Sequence, residues 1–514
     1  MPRIMKTIAL LFGIALLVTG CAIKPQTITA TEAREAAAFL QNRVQAPQET
    51  LPVALSLDEA IARVLKYNLE HRVKMFEVSL KQRQYDLSMY DMLPELTARG
   101  EAEHRSNWDG SVSRNLRTGI TSTDYTTSED RDQHMGQLSL SWNILDVGVS
   151  YYNLHQQANR FLMAKEQQRK VVQDLVGETR TAFFKVLVAQ DLRDDIVKAL
   201  AQAEEALSTA KSIEDQRLRP LEEVLTYQKN LLQMIRQLEE LQRGLSLAKV
   251  QLAALMNLPS DQLPSLEKPT WYGSLRGLEL TREYMENYAF SHRPEIFEWG
   301  YQQRITALEA KKAILDLVPG IGFNLSTNYD SNSFDLYSTW QQASVHVAYN
   351  LMNLAKWPAK KKMLQVQQKM EEAQGLAMGM AVLAQVNLAA QQHEFAAQAA
   401  SRAKTLAEVE ERLKELSARQ VSQGQGMRLD TIQKAVSAIT GNVNREEAFI
   451  SYYQALNNLF TALGVDYLDY SALPRELNDL TAVIAGANAK LWGPGDITEV
   501  LVVPAPTASE EQPL

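Results

Sequence analysis

The side chains that usually perform catalysis are scattered along this sequence of 514 residues. Its seven histidines never fall within a few positions of one another, so the sequence lacks the local His-x-x-x-His pattern of a zinc site. It also lacks a Walker-type phosphate loop and a Gly-x-Ser-x-Gly nucleophile turn. Most carboxylates stand beside Lys and Arg on predicted helices, as solvated faces do. The sequence therefore predicts neither an enzyme nor a metal or organic cofactor.

Cys21 is the only cysteine, and it follows an export signal with basic residues at positions 3 and 6. The apolar stretch 8–18 is too short to cross a bilayer as a stable helix, so we expect cleavage. The segment from Val18 to Cys21 resembles the lipobox at which bacterial lipoproteins are cut and diacylated, which predicts a covalent lipid on Cys21. The alternative is an incidental cysteine in an uncleaved signal. By resemblance to lipoprotein sorting, Ala22 favours the outer membrane.

Charge and hydropathy limit the remaining classes. The net charge is −8, and removal of residues 1–20 takes away two basic residues and no acid, which leaves −10. This balance argues against a nucleic-acid partner, which needs a basic face. We expect no further stretch of about 18 apolar residues, so a second membrane crossing would require β-strands closed into a barrel.

The sequence contains an internal repeat with two copies of one unit. Two pairs of segments lie 207 residues apart, and a third pair lies 225 residues apart: Asn143–Asp146 with Asn350–Asn353, Glu223–Leu225 with Asp430–Ile432, and Leu93-Pro94 with Val318-Pro319. The difference of 18 residues falls between Pro94 and Asn143, so we expect it in one loop. The predicted divisions are a signal at 1–20, an anchored tail at 21–56 that is extended over 22–50, a first repeat at 57–258, an equatorial segment at 259–285, a second repeat at 286–465, and a second equatorial segment with a disordered end at 466–514.

Alternating apolar and polar residues predict two strands in each repeat, at about 95–106 and 136–146, and at about 320–330 and 342–352. Alternating segments of about 10 residues are typical of membrane barrel strands. A soluble hairpin packed on a core is the alternative. Four strands cannot close a barrel alone, whereas a homotrimer would supply twelve.

The rest of each repeat is predicted to be helical. Heptad spacing over 196–210 and 238–255 indicates helices that pack as coiled coils. The proline-free stretch from Gly148 to about Arg217 would reach about 105 Å as one helix. We expect Pro94 and Pro319 to end the helices that precede the first strands, and Asp146 and Asn353 to cap the long helices.

The chain from Leu57 to about Val465 resembles the TolC-like outer-membrane efflux channels, or outer membrane factors, in their lipoprotein subtype. The resemblance rests on positions that recur in register: Asn68, Arg293-Pro294, Pro94, Pro319, Trp142–Asp146 and Leu255–Leu258. It implies a mainly α fold with a small β part, in which tandem helix-hairpin-helix repeats form, as a trimer, a 12-stranded outer-membrane β-barrel continuous with a long periplasmic helical barrel.

The resemblance also implies a periplasmic gate and an adaptor-docking surface at the helical tips, 217–225 and 424–432. The residues concerned are Arg217, Arg219, Pro220, Glu223, Gly424, Gly426, Arg428 and Asp430. A ring of three Asp430 carboxylates would favour cations or protonation. The alternative is a solvated acid at a helix N-terminus. Arg217 stands where the family often has glycine, and this departure puts the adaptor contacts of the first tip in doubt.

The implied function is a passive exit duct of a tripartite efflux or type I secretion system. Its expected partners are two further copies, outer-membrane lipid, a periplasmic adaptor and an inner-membrane pump. A structural periplasmic coiled-coil lipoprotein without channel activity stays open as the alternative. The cargo, whether drugs, metal ions or a protein, cannot be read from the sequence.

Overall fold

The computed structural model of the chain describes residues 27–44, 48–216, 220–275, 280–423, 428–466, 468 and 473–492. This part is mostly helical and contains one four-stranded sheet, so the predicted fold class of tandem helix-hairpin-helix repeats with a small β part is confirmed. The export signal and Cys21 lie outside the described residues.

The elements follow the repeated order that the sequence predicts. The first half contains α1 (Ala30–Val44), β1 (Ala54–Leu55), α2 (Leu57–Tyr67), α3 (Leu69–Ser88), β2 (Glu95–His104), β3 (Asp132–Asn143), α4 (Ile144–Asp215), α5 (Leu221–Leu255) and β4 (Ser265–Leu266). The second half contains α6 (Arg282–His292), α7 (Pro294–Leu315), β5 (Gly320–Asp330), β6 (Thr339–Ala348), α8 (Met352–Ser422), α9 (Arg428–Leu463) and α10 (Leu477–Trp492).

The sheet has the strand order β2-β3-β5-β6, and all neighbours are antiparallel. β3 begins four residues earlier than the predicted 136, because the ladder with β2 extends to the pair His104 and Asp132. β6 ends at Ala348, opposite Gly320, where β5 begins. The expected strand residues Tyr349 and Leu351 therefore lie beyond the ladder, at the entrance to α8.

The helices form a layer that continues the sheet. α4 has 72 residues and α8 has 71, so each reaches about 108 Å. Next to the sheet the packing order is α3-α4-α7-α8, and in the half farther from the sheet it is α5-α4-α9-α8. Of the predicted heptad, Ile196, Ala203 and Ala210 are buried and Leu200 and Leu207 pack against the core, which confirms close helix contact.

The caps of the two long helices differ from the prediction. The Asn143 side-chain oxygen accepts from the Leu145 N–H at 3.0 Å, so Asn143 and not Asp146 caps α4. In the second repeat Asn350 accepts from the Met352 N–H at 3.1 Å. Asn353 lies inside α8 and donates to the Asp316 carbonyl at 3.0 Å. The helices begin earlier because an Asn side chain at the end of each hairpin already satisfies the first free N–H groups.

The N-terminal tail also differs from the prediction. We expected residues 22–50 to be extended, but Ala30–Val44 is helical. Thr29 and Glu32 form a reciprocal capping box, in which the Glu32 N–H donates to the Thr29 hydroxyl at 3.2 Å and the Thr29 N–H donates to the Glu32 carboxylate at 2.7 Å. The Thr-x-x-Glu signature of this capping box is visible in the sequence.

Candidate functional site

The four-stranded sheet is inside out: its apolar face is exposed and its polar face is more buried, the reverse of what a soluble protein shows. Along β5 the apolar side chains are the exposed ones: Phe323 is 41% exposed, Leu325 is 55% exposed and Tyr329 is 46% exposed. Their neighbours in the ladder are also apolar, since Trp142 and Val345 flank Phe323. A continuous apolar face on the exposed side of a sheet marks a surface that contacts something other than water.

The opposite face of the sheet is polar and more buried. Ser326 is 3% exposed and Asn328 is 8% exposed, and they alternate with the apolar residues of β5. The Gln137 amide donates to the Asn328 side-chain oxygen at 3.0 Å, and the Asn328 amide donates to the Ser326 hydroxyl at 3.1 Å. This apolar-out, polar-in alternation is the pattern of a barrel wall with lipid outside and water inside.

The loops at the far end of the sheet are tied together by Asn332. Its side chain accepts from the Asp130 N–H at 3.1 Å and donates to the Ser128 carbonyl at 3.0 Å, and Asn332 is 8% exposed. The 18-residue excess of the first repeat lies in this region, where Ser111 and Thr126 form an isolated bridge that extends the hairpin. Sequence reasoning located the insertion but gave no signal for the Asn332 contact.

The helical tips lie at the opposite end of the layer. Pro220 occupies the N-cap position of α5, and Glu223 stands in its first turn. Arg428 and Asp430 fall within the first turn of α9. Arg217, Arg219, Gly424 and Gly426 lie outside the described residues, as do the side chains of Arg428 and Asp430. The gate and docking roles of these eight residues therefore stay predictions.

A charged cluster holds the middle of the layer. The Arg293 guanidinium donates to both carboxylate oxygens of Glu295, at 3.0 and 2.9 Å, and Lys170 lies 3.0 Å from one of them. Burial alone would raise the pKa of Glu295, but the hydrogen bonds from Arg293 and Lys170 outweigh it and lower the pKa to about 2. The bidentate pair fixes the start of α7, because Arg293 is its N-cap residue.

A polar concavity of about 920 Å³ opens beside this cluster between four long helices. Its lining includes Asp174, Glu178 and Lys185 of α4 and Gln385 of α8. Burial, helped by neighbouring acids, raises the pKa values of Asp174 and Glu178. Two acids, Asp174 and Glu178, and two basic residues, Lys185 and Arg293, thus line the concavity.

The equatorial segments pack into one aromatic cluster with the long helices. Their described residues are 259–275, 280–285, 466, 468 and 473–492. Trp492 of α10 stacks on Trp271, with ring centroids 5.6 Å apart, and the Arg180 guanidinium lies 4.4 Å from the Trp492 ring. Arg180 is 2% exposed and also donates to Asn457 at 2.6 Å and to Asn488 at 3.2 Å. The cluster joins both repeats and both equatorial segments into one unit.

Among the described residues, no three His, Cys, Asp or Glu side chains lie close enough together to hold a metal ion.

The chain resembles a family of outer-membrane proteins and several solved outer-membrane channels. Residues 60–258 match the family model described as outer membrane efflux protein. The structure is similar to the Neisseria gonorrhoeae MtrE channel in its open state, with 15% identity, a TM-score of 0.59, and coverage of 82% of this chain and 94% of that one. It is also similar to the Campylobacter jejuni CmeC channel, with 11% identity, a TM-score of 0.62, and coverage of 82% and 91%.

A third similar structure is the Vibrio cholerae outer membrane protein VceC, with 12% identity, a TM-score of 0.58, and coverage of 79% of this chain and 96% of that one. No curated protein sequence matches the chain. The matched family and the structural neighbours are channels, not enzymes. Residues 60–258 thus match the outer membrane efflux protein family, and the chain shares its fold with TolC-like outer-membrane channels.

Proposed function

We propose that three copies of this chain form a channel through the outer membrane that continues as a helical tube into the periplasm. The observation that carries the proposal is the inside-out sheet with two free edges. β2 and β6 each have a neighbour on one side only, and all ten residues of each strand are exposed. A membrane barrel has no free edge, because unpaired backbone groups are too costly in lipid. Three sheets joined edge to edge would satisfy both strands with twelve strands in all.

The helical layer has two free edges of the same kind. α3 presents a stripe of exposed apolar side chains at heptad spacing: Leu69, Val73, Phe76, Leu80 and Leu87. α8, at the other edge of the layer, presents Met363, Val366, Met370 and Met380 in the same manner. Apolar heptad stripes predict a partner helix. A neighbouring copy places α8 against α3, just as it places β6 against β2.

α8 adds a further argument for closure. An 18-residue window of this helix is long and apolar enough to cross a membrane, by length and composition, yet only 17% of the window is buried. Our expectation of no such window was therefore wrong. α8 packs on α7 and α9 within the helical layer, so a second copy beside it is the arrangement that covers its apolar surface without removing it from the layer.

We further propose that the channel is a passive exit duct, coupled through a periplasmic adaptor to an inner-membrane pump in efflux or type I secretion. The match to the outer membrane efflux protein family and the likeness to the MtrE, CmeC and VceC channels support this role. We also propose the diacyl lipid on Cys21 as a second anchor in the outer membrane. The lipobox-like sequence before Cys21 supports it.

Conductance and oligomeric state test the proposal together. The lipidated full chain, purified in detergent, is expected to have the mass of a trimer and to conduct ions across a planar lipid bilayer. A monomer that never conducts would support the structural coiled-coil lipoprotein instead. The matched control is a chain with Pro in the middle of β6, such as Ala343→Pro. Pro has no backbone N–H, so it cannot donate a hydrogen bond to a neighbouring strand.

The tip residues have a separate test. We propose that Asp430 contributes to an acidic constriction and that both tips bind the adaptor. Asp430→Asn is expected to change the cation selectivity or the gating of single channels, with Glu223→Gln as the comparison in the first tip. Unchanged selectivity and gating in the Asp430 variant would leave the residue as a helix N-terminal acid.

A further inference from the structure

In the half of the helical layer near the tips, the two free edges are formed by a different pair of helices from those near the sheet, and one of these edges is partly charged. Its order is α5-α4-α9-α8, so α5 and α8 are the free edges. The exposed stripe of α8 stays apolar here, with Leu406, Val409, Leu413 and Leu416 at heptad spacing. The stripe of α5 is apolar only at its two ends, at Leu225 and Leu232 and again at Leu247 and Val250.

The middle of the α5 stripe is charged. A shallow surface depression is lined by Arg236, Glu239, Glu240 and Arg243, and no apolar side chain borders it. Arg243 is 72% exposed and contacts Glu240 one turn away at 3.4 Å. Neither Arg236 nor Glu239 has an ion-pair partner within 4 Å among the described residues. Charges at the seam of a coiled coil select the partner and its register.

α8 carries the complementary charges beside its apolar stripe. Glu408, Arg412 and Glu415 are exposed, and they follow one another at intervals of four and three residues. On α5 the order is Arg236, Glu239 and Arg243, at intervals of three and four. α5 runs away from the tips and α8 runs toward them, so the two series oppose each other, with a cation facing an acid at each step.

The heights of the two series agree. Gly177 of α4 packs against Asn457 of α9, and Gly441 of α9 would place a Cβ 3.6 Å from the Cα of Ala407 on α8. On the other side of α4, Gln190 and Arg193 line one surface depression together with Gln242 and Ser246 of α5. Counted from these contacts at 1.5 Å per residue, Arg243 lies level with Ala407 to within about one helical turn. A three-fold rotation keeps height along the axis, so the same level holds for α8 of the next copy.

We propose that a ladder of three ion pairs joins neighbouring copies of this chain along the tip half of the tube. Arg236 of one copy pairs with Glu415 of the next, Glu239 with Arg412, and Arg243 with Glu408. The inference rests on the proposed trimer and names the residues that set its seam. Pairing α5 with α8 residues one heptad nearer the tip would keep two pairs, Glu239 with Arg419 and Arg243 with Glu415. Pairing it with α8 residues one heptad farther from the tip would keep only one pair. The ladder therefore favours one register.

Disulfide trapping tests the proximity directly. Glu239→Cys and Arg412→Cys are placed in the same full-length chain, where α5 and α8 are separated by α4 and α9, so a bond between them must join two copies. Oxidised membranes are expected to give covalent trimers on a non-reducing gel. The matched control combines Glu239→Cys with Lys369→Cys, which lies more than 40 residues further up α8, about 60 Å away. That pair is expected to give none.

Charge reversal tests the register. Glu239→Arg is expected to lower the trimer fraction in detergent by about fivefold or more, because like charges then meet at each of the seams. Arg412→Glu in the same chain is expected to restore it, whereas Arg419→Glu is not. Stable, conducting trimers that form no disulfide, or rescue by Arg419→Glu alone, would overturn the ladder and leave the channel intact. A wild-type chain that is monomeric and non-conducting would overturn the proposed function itself.

Discussion

Gly464 packs directly against the backbone of Arg293. A Cβ at Gly464 would lie 2.8 Å from the Arg293 Cα, and Gly464 has a φ of +75°. The turn that ends α9 is closed by the Val465 N–H, which donates to the Phe460 carbonyl at 3.0 Å. In the first repeat Asn257, with a φ of 54°, occupies the corresponding position at the end of α5. The two repeats thus end in the same left-handed turn, but only the second one needs glycine for space.

Gly464→Ala is accordingly expected to destabilise the folded chain by about 2–4 kcal/mol, since it adds both left-handed strain and a backbone clash. Thermal unfolding followed by circular dichroism measures the change. Gly300→Ala is the matched control, because nothing lies within 4 Å of a Cβ at that helical position. It is expected to be neutral or slightly stabilising. Equal effects at the two glycines would contradict the packing argument.

Glu295 is expected to make the stability depend on pH in the acidic range. Its folded pKa of about 2 lies below the ordinary 4.5, so the stabilisation is fully present above pH 4.5 and is lost as the pH falls through 2. Glu295→Gln should cost about 3 kcal/mol at pH 7, because it also leaves the buried Arg293 without its carboxylate. Unfolding measured between pH 7 and pH 2 should show the difference from the native chain shrinking.

Glu298, three residues along the same helix, is the control for that experiment. Burial raises its pKa, so its ionised form is disfavoured by folding and its contribution has the opposite sign. Glu298→Gln should therefore not reproduce the loss at pH 7. A pH dependence that is the same for both variants would rule out the Arg293 and Glu295 pair as its source.

Leu325 and Asn324 are expected to respond differently to the same charge. Leu325→Arg places a cation on the apolar face of β5 and should cost about 2–4 kcal/mol near the middle of the bilayer, which reduces the amount recovered in the outer membrane. Asn324→Arg points to the polar face and should be recovered at nearly the native level. Quantitative fractionation of membranes measures both, and equal recovery would argue against a lipid-facing sheet.

Trp492 is expected to hold the equatorial cluster together. Trp492→Ala removes the stack on Trp271 and the contact with the Arg180 guanidinium, and should cost about 3–5 kcal/mol. Trp108→Ala serves as the control, because that side chain is 56% exposed in the loop between β2 and β3. Limited proteolysis should cut the Trp492 variant faster near 259–275. Native resistance of that segment would contradict the role.

The repeated architecture could be predicted from the sequence because it is written in local patterns. Alternation with a period of two marked the strands, heptads marked the helices, and Pro94 and Pro319 marked where helices give way to strands. The predicted caps Asp146 and Asn353 lie too far along the chain. The N-cap of α4 is Asn143, and the N-cap position of α8 is Leu351, whose neighbour Asn350 accepts from the Met352 N–H. Asp and Asn are both good cap residues, so only the end of the strand ladder selects between these positions. The roles of the tip residues, from Arg217 to Asp430, stay predictions.

The sequence alone thus determined the four strands of the large sheet, the two long helical hairpins, and the lack of a local catalytic pattern. Which residues meet across the chain was decided only by the tertiary structure, as with Arg180 and Trp492, or Gly464 and Arg293. The physical reason is that period and propensity act between near neighbours, whereas the free edges at β2, β6, α3, α5 and α8 exist only after strands and helices have been laid side by side. Those edges carry the proposal that the chain acts as a trimer.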